Sequence, residues 1–210
     1  MAHRKPRSGE RRGGTTAVAL AAVLALAGTT ALTVAATHQN APPPVPPATA
    51  AGTLTPTRTA PALPDGPPPT PTTLDIPDID VHTPLDPLTL DDQGALAPPD
   101  RPDHAGWYTT TPAWTNPIVI TGHVDYTNIG PAVFYRLGDL RPGQHITLTT
   151  TDHHTRTYTI NAVRTYPKDA FPTEDVYGPT TTPQLRLITC SNWNPAEHTY
   201  TANTIVYATL

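Results

Sequence analysis

The chain has 210 residues, with 13 Lys and Arg against 17 Asp and Glu and a formal net charge of −4 when histidine is neutral. That balance leaves no basic surface for nucleic acid, and the one dense group of cations, Arg4, Lys5, Arg7, Arg11 and Arg12, sits at the extreme N-terminus against a single acid, Glu10. A lone cysteine, Cys190, excludes an internal disulfide framework and any multi-cysteine zinc or iron–sulfur site.

In chain order, residues 1–14 form the basic segment and residues 15–36 follow without a charge, a run of about 22 residues that is long enough to span a bilayer. Positive residues ahead of the span place the N-terminus in the cytoplasm and the remainder outside the cell. A cleaved secretory signal shares this order of features, and Val34, Ala35 and Ala36 offer small residues for cleavage, but the apolar run exceeds the usual length of a signal core. The expectation is therefore a single-pass anchor in the cell membrane with an extracellular domain.

Residues 37–73 are rich in Pro, Thr and Ala, and from residue 41 onwards almost no large apolar side chain occurs. Such a stretch reads as an extended, semi-rigid spacer of polyproline II type. Beyond it, residues 74–210 change character. Runs of Ile, Val, Thr, Leu and Tyr at 74–76, 118–121, 145–150, 157–163, 185–189 and 204–208 read as strands, with turn residues between them and prolines outside the runs. Val133, Phe134, Leu137 and Leu140 at helical spacing predict one short helix within residues 131–140. The domain is mainly β, a small closed barrel or a sandwich.

Two chemically complementary residues stand at strand ends. Cys190 closes the run 185–189 and is followed by the polar Ser191, Asn192, Trp193 and Asn194, whereas His123 follows the apolar run 118–121 and Gly122. A thiol with a neighbouring imidazole is the minimum for covalent acyl transfer. With nine histidines in the chain the pairing alone is weak, and a buried, inert cysteine is the competing reading.

The local patterns are more specific. Residues 119–125 (VITGHVD), 130–137 (GPAVFYRL), Phe171-Pro172-Thr173 with Val176-Tyr177-Gly178, and residues 185–190 (LRLITC) resemble the sortases, most closely the actinobacterial class F enzymes, across nearly all of residues 74–210. The resemblance implies a closed eight-stranded sortase-type β-barrel with short helices, preceded by an N-terminal transmembrane helix. It also implies a cysteine transpeptidase in which Cys190 attacks an LPXTG-like sorting signal between Thr and Gly, and an amine of a cell-wall precursor resolves the thioacyl enzyme. His123 would be the general acid and base. No metal and no cofactor are implied. In order, these chemistries include two alternatives: a degenerate sortase that binds peptides without turnover, and an exported cysteine peptidase resolved by water.

One family element is missing. Class F sortases carry an arginine on the last strand where this chain has Thr201, and no Arg or Lys follows Cys190. Arg186, four residues before Cys190 on the same strand face, is one substitute, weighed against a framework role. Asp125, two residues after His123, is a candidate to orient the imidazole or to cap its loop. Thr189 and Trp193 are candidates to border the substrate groove, while Trp107, Tyr108 and Trp114 read as packing residues. His153 and His154 beside Asp152 read as a polar hairpin turn rather than metal ligands.

Overall fold

A computed structural model describes residues 41–54, 69–92, 94–109 and 117–210. The anchor expected over residues 15–36, and Trp114, lie outside the described residues. Among the described residues no helix is long and apolar enough to cross a membrane.

The described residues form ten strands: β1 (Pro71–Ile76), β2 (Val81–Leu88), β3 (Ala105–Tyr108), β4 (Ile118–Gly122), β5 (Asp125–Tyr126), β6 (Gly130–Pro131), β7 (His145–Thr150), β8 (Thr155–Pro167), β9 (Gln184–Asn194) and β10 (Thr199–Thr209). Eight of them close a barrel in the order β1-β2-β3-β4-β9-β10-β8-β7, and β5 pairs with β6 in a separate hairpin. Of the two architectures open from strand spacing, closure selects the barrel, and closing it leaves none of the eight as a free edge. β2 runs parallel to β3 and β4 parallel to β9, and the other neighbours are antiparallel. The parallel β4–β9 pair, with Thr121 opposite Ile188, brings His123 and Cys190 to the same rim.

Alternation sorts each strand into two faces. Leu74, Ile76, Ile120, Ile146, Leu148, Leu185, Leu187, Val206 and Ala208 all point into one core and are fully buried. Truncating one of these, as in Leu187→Ala, costs roughly 2–5 kcal/mol because the barrel wall cannot collapse onto the gap. The opposite face is covered as well: Val119, Ile188, Ile205 and Tyr207 form a second, outer cluster with Ala162 and with Val176 of a short helix, α1 (Thr173–Tyr177).

Three expectations are corrected by the fold. Prolines do enter the strands, because β2 contains Pro84 and Pro87. That strand pairs with β1 through its first half and with β3 through its second, so each half has a backbone edge that needs no donor there, and both proline rings face outward. The helix expected within residues 131–140 is a set of turns ending in a 3-10 turn, Leu137–Asp139. Pro131 is held in the β6 pairing, and Gly138 sits so close to the Pro44 carbonyl that a Cβ would approach it to 1.9 Å. The apolar spacing still reported burial, since Phe134, Leu137 and Leu140 are all at zero exposure.

The third correction concerns the spacer. Residues Pro42–Leu210 form one compact unit, so the proline-rich segment begins as a docked strap. Ala48–Ala51 makes a 3-10 turn, Ala50 is fully buried in the main core, and Leu54 packs on the outer cluster. Arg164 of β8 clamps the strap by donating from Nε to the Ala51 carbonyl at 2.6 Å and from Nη2 to the Gly52 carbonyl at 3.0 Å. Small residues suffice for this contact because they add no rotamer entropy to the cost of docking.

Candidate active site

The apolar run of β4 stops at Gly122 because the backbone there passes directly over Val133 and Phe134, with a Cβ at that position falling 2.7 Å from Val133 Cγ1. His123 therefore leaves the strand, and its own carbonyl accepts from the Phe134 amide at 2.9 Å. Its Nε2 lies 2.9 Å from the Pro99 carbonyl oxygen. A carbonyl only accepts, so Nε2 carries a proton, and in the neutral ring Nδ1 is the nitrogen left with a lone pair. Tyr126 packs edge-on against the ring at 5.1 Å. The imidazole is thus held by backbone and by an aromatic edge.

Cys190 lies on the outer face of β9, directly opposite Asn203 of β10. Thr189, one residue earlier, donates from Oγ1 to the Gly122 carbonyl at 2.9 Å, a buried bond that ties β9 to the β4 end. Cys190 and His123 border a single cavity of about 360 Å³, with Thr189, Asp125, Tyr177, Tyr200 and Asn203 also on its walls and Leu96 and Pro98 closing it from the loop before β3. The thiol is half-buried. Burial pushes its pKa up, the positive charge of Lys168 opposes this, and the carboxylate of Asp125 adds to the rise. A thiol raised in this way is largely protonated at neutral pH, and its reactivity rises as pH climbs through its pKa.

Asp125 is brought to the cavity but is engaged elsewhere: the Tyr200 hydroxyl donates to its carboxylate. Burial, and then that bond, push the Tyr200 phenol well above its usual range. The Tyr200–Asp125 contact joins β10 to β5 and so fixes the loop that carries His123. Trp193 is 44% exposed and does not wall the cavity; it stacks edge-on with Tyr200 at 5.0 Å and with His198 at 6.3 Å, reaching the site through Tyr200.

Arg186 projects from the same β9 face as Cys190 but is not brought into the cavity. It is 5% exposed, donates from Nε to the Asp175 carbonyl of α1 at 3.1 Å, from Nη1 to the Leu185 carbonyl at 3.1 Å and from Nη2 to Gln184 Oε1 at 2.5 Å, and lies over the Tyr207 ring at 4.8 Å. Burial lowers its pKa to about 10, so it remains a cation at neutral pH. Thr201 is also directed away from the cavity. It exchanges hydrogen bonds with Asn192, accepting from Nδ2 at 2.6 Å and donating to the backbone oxygen at 3.0 Å, and Asn192 adopts φ 58°.

Sequence reasoning did not single out Tyr200, Asn203, Pro99 or Lys168. Tyr200 and Asn203 flank the position already compared with the family, Thr201, and the β9–β10 register is the signal that separates them from it. Trp107 packs on the core and Tyr108 on the outer cluster, 6.0 Å from the Tyr177 ring. His153 and His154 lie between β7 and β8, where Asp152 accepts from Thr150 Oγ1 at 2.5 Å and from the His154 amide at 3.3 Å.

No curated protein matches the chain. Solved structures do. Sortase A from Corynebacterium diphtheriae superposes with a TM-score of 0.51 at 22% identity over 67% of this chain and 60% of that one, and its lid mutant gives 0.50 at 22% over 67% and 69%. Sortase C1 from Streptococcus agalactiae gives 0.51 at 18% identity over 66% and 65%. At these identities the likeness is one of fold, and the chain spans 60 to 69% of the length of those structures. The sortase domain, as a family, matches residues 74–210. That match takes in the barrel almost from its first strand to its last, and by it the chain belongs to the sortase family of cysteine transpeptidases.

Proposed function

We propose that this chain is a membrane-anchored sortase of class F type that cleaves an LPXTG-like sorting signal between Thr and Gly and transfers the acyl group to an amine of a cell-wall precursor. Residues 15–36 hold it in the membrane of a Gram-positive cell with the barrel outside. The observation that supports the reading is the meeting of Cys190 and His123 at one open cavity on the outer face of the barrel, where an extended peptide has access.

In this reading the Cys190 thiol gives its proton to His123 Nδ1, and the thiolate adds to the Thr carbonyl carbon and forms a tetrahedral oxyanion. Collapse breaks the C–N bond, and His123 delivers a proton from Nδ1 to the departing amine while Nε2 stays on the Pro99 carbonyl. The acceptor amine then attacks the thioester, gives its proton back to Nδ1, and the thiolate leaves. Thr189 holds the two strands together, and Asp125 acts on the His123 loop through Tyr200 rather than on the ring.

Cleavage of fluorogenic LPXTG-type peptides by residues 42–210, with and without an added amine, tests the proposal. Cleavage that depends on Cys190 and yields the amine-coupled product is expected; removing His123 lowers it by about 10²–10⁴-fold. Product carrying only water would instead make the protein an exported cysteine peptidase. A peptide-binding module without turnover is favoured by Thr201 in place of the family's arginine and by the raised thiol pKa. Binding without cleavage across a peptide panel would establish it.

A further inference from the structure

The site has no cation on β10, and Arg186 is committed to α1. The barrel register supplies another. Across β9, β10 and β8 the rows run Cys190–Asn203–Tyr166 and then Ser191–Ala202–Pro167, so the residue that follows Pro167 stands level with Asn192 and Thr201, two positions beyond the nucleophile. That residue is Lys168. It opens the 3-10 turn Lys168–Ala170 and shares an open groove of about 600 Å³ with Ser191, Asn192 and Thr201. Neighbouring strands lie about 4.8 Å apart, so β8 is two such steps from β9, a gap that the flexible four-carbon stem of lysine shortens. Lys168 makes no ion pair among the described residues.

We propose that Lys168 is the cation of the Cys190 site, reaching β9 from the far side of β10 and standing in for a cation that β10 lacks. It is a positioning residue for charge: its field favours the thiolate and the oxyanion that thiolate attack would create. The titratable groups that line the thiol's cavity are His123 after β4, Asp125 of β5, Tyr177 of α1 and Tyr200 of β10, whereas Lys168 after β8 acts on the thiol from the separate groove over Ser191 and Asn192. Of these, only Lys168 carries a fixed positive charge. Asp125 opposes it. Sequence spacing conceals the relationship because a 3-10 turn, helix α1 and the first half of β9 separate Lys168 from Cys190.

The role in turnover rests on the acyl-transfer reading above, but its test does not. The pH dependence of Cys190 alkylation by iodoacetamide is measured for the wild type, Lys168→Ala, Lys168→Glu and Lys168→Arg, each also in a His123→Ala background because the thiol and imidazole titrate as a pair. Lys168→Ala raises the midpoint by about 0.5–1 pH unit, Lys168→Glu raises it further, and Lys168→Arg leaves it near wild type. At neutral pH the alanine variant is alkylated about 3–10-fold more slowly. A midpoint in Lys168→Ala and Lys168→Glu equal to that of wild type overturns the inference, even if peptides are turned over. A shifted midpoint with no peptide turnover upholds it and sinks the proposed function alone.

Discussion

Arg186 and Cys190 leave the same outer face of β9 four residues apart, yet one is sealed and the other open. At the Arg186 end, α1 lies over the strand and takes the guanidinium onto the Asp175 carbonyl, with Gln184 and the Tyr207 ring completing the enclosure. At the Cys190 end only Tyr177, the last residue of α1, reaches the cavity, and Leu96, Pro98, Tyr200 and Asn203 line it without closing over the thiol. Strand alternation therefore predicts which side a residue faces but not what meets it there. A buried cation whose donors are satisfied stabilises the fold, whereas a half-buried thiol beside an imidazole is available for chemistry.

The sealed end gives the largest expected loss of stability. Arg186→Ala removes charged hydrogen bonds to three acceptors and leaves buried oxygens unpaired, so unfolding free energy falls by about 3 kcal/mol. If the contrast is real, the same variant leaves the pH midpoint of Cys190 alkylation unchanged, because Arg186 is not among the charges acting on the thiol. A shifted midpoint would break the separation of the two ends.

Strap docking comes next. Gly52 has φ 47°, and a Cβ there would fall 1.9 Å from the Asn161 carbonyl. Gly52→Val should release the strap and lose the Arg164 bonds and the burial of Ala50, lowering stability by about 1–2 kcal/mol in denaturant titration and exposing residues 42–54 to proteolysis. A smaller effect is expected at the open end. Tyr200→Phe frees Asp125 and loosens the His123 loop at a cost of about 1 kcal/mol, read as up to a tenfold fall in kcat with KM little changed. The smallest belongs to Thr201→Val. Its hydrogen bonds to Asn192 are solvent-exposed, so melting temperature should hardly move.

Much of the open end was legible in the sequence. The apolar runs that stop at Gly122 and Cys190 lie in true barrel strands because they alternate, but the polar Ser191–Asn194 continue β9, so Cys190 lies within its strand and not at the end expected. β2 and β3 escaped notice because Pro84 and Pro87 mimic loop chemistry and Ala105–Tyr108 is only four residues long. Helix α1 is five residues, too short for a period of 3.6 to register. Arg186 illustrates the limit best: its face was readable and its partner was not, since the Asp175 carbonyl arrives from another segment. The Tyr200–Asp125 bond and the approach of Lys168 were likewise hidden, as both depend on long-range register.

The central claim is that Cys190 is a nucleophile on an open stretch of β9, and trapping its acyl intermediate tests that claim most directly. Residues 42–210 are mixed with an LPXTG-type peptide, quenched in acid and measured by intact mass. The account predicts a thioester adduct that maps to Cys190, disappears on adding an amine together with release of the coupled peptide, and is absent from Cys190→Ala. A folded protein that binds the peptide yet never forms the adduct, in wild type and in His123→Ala alike, would contradict it.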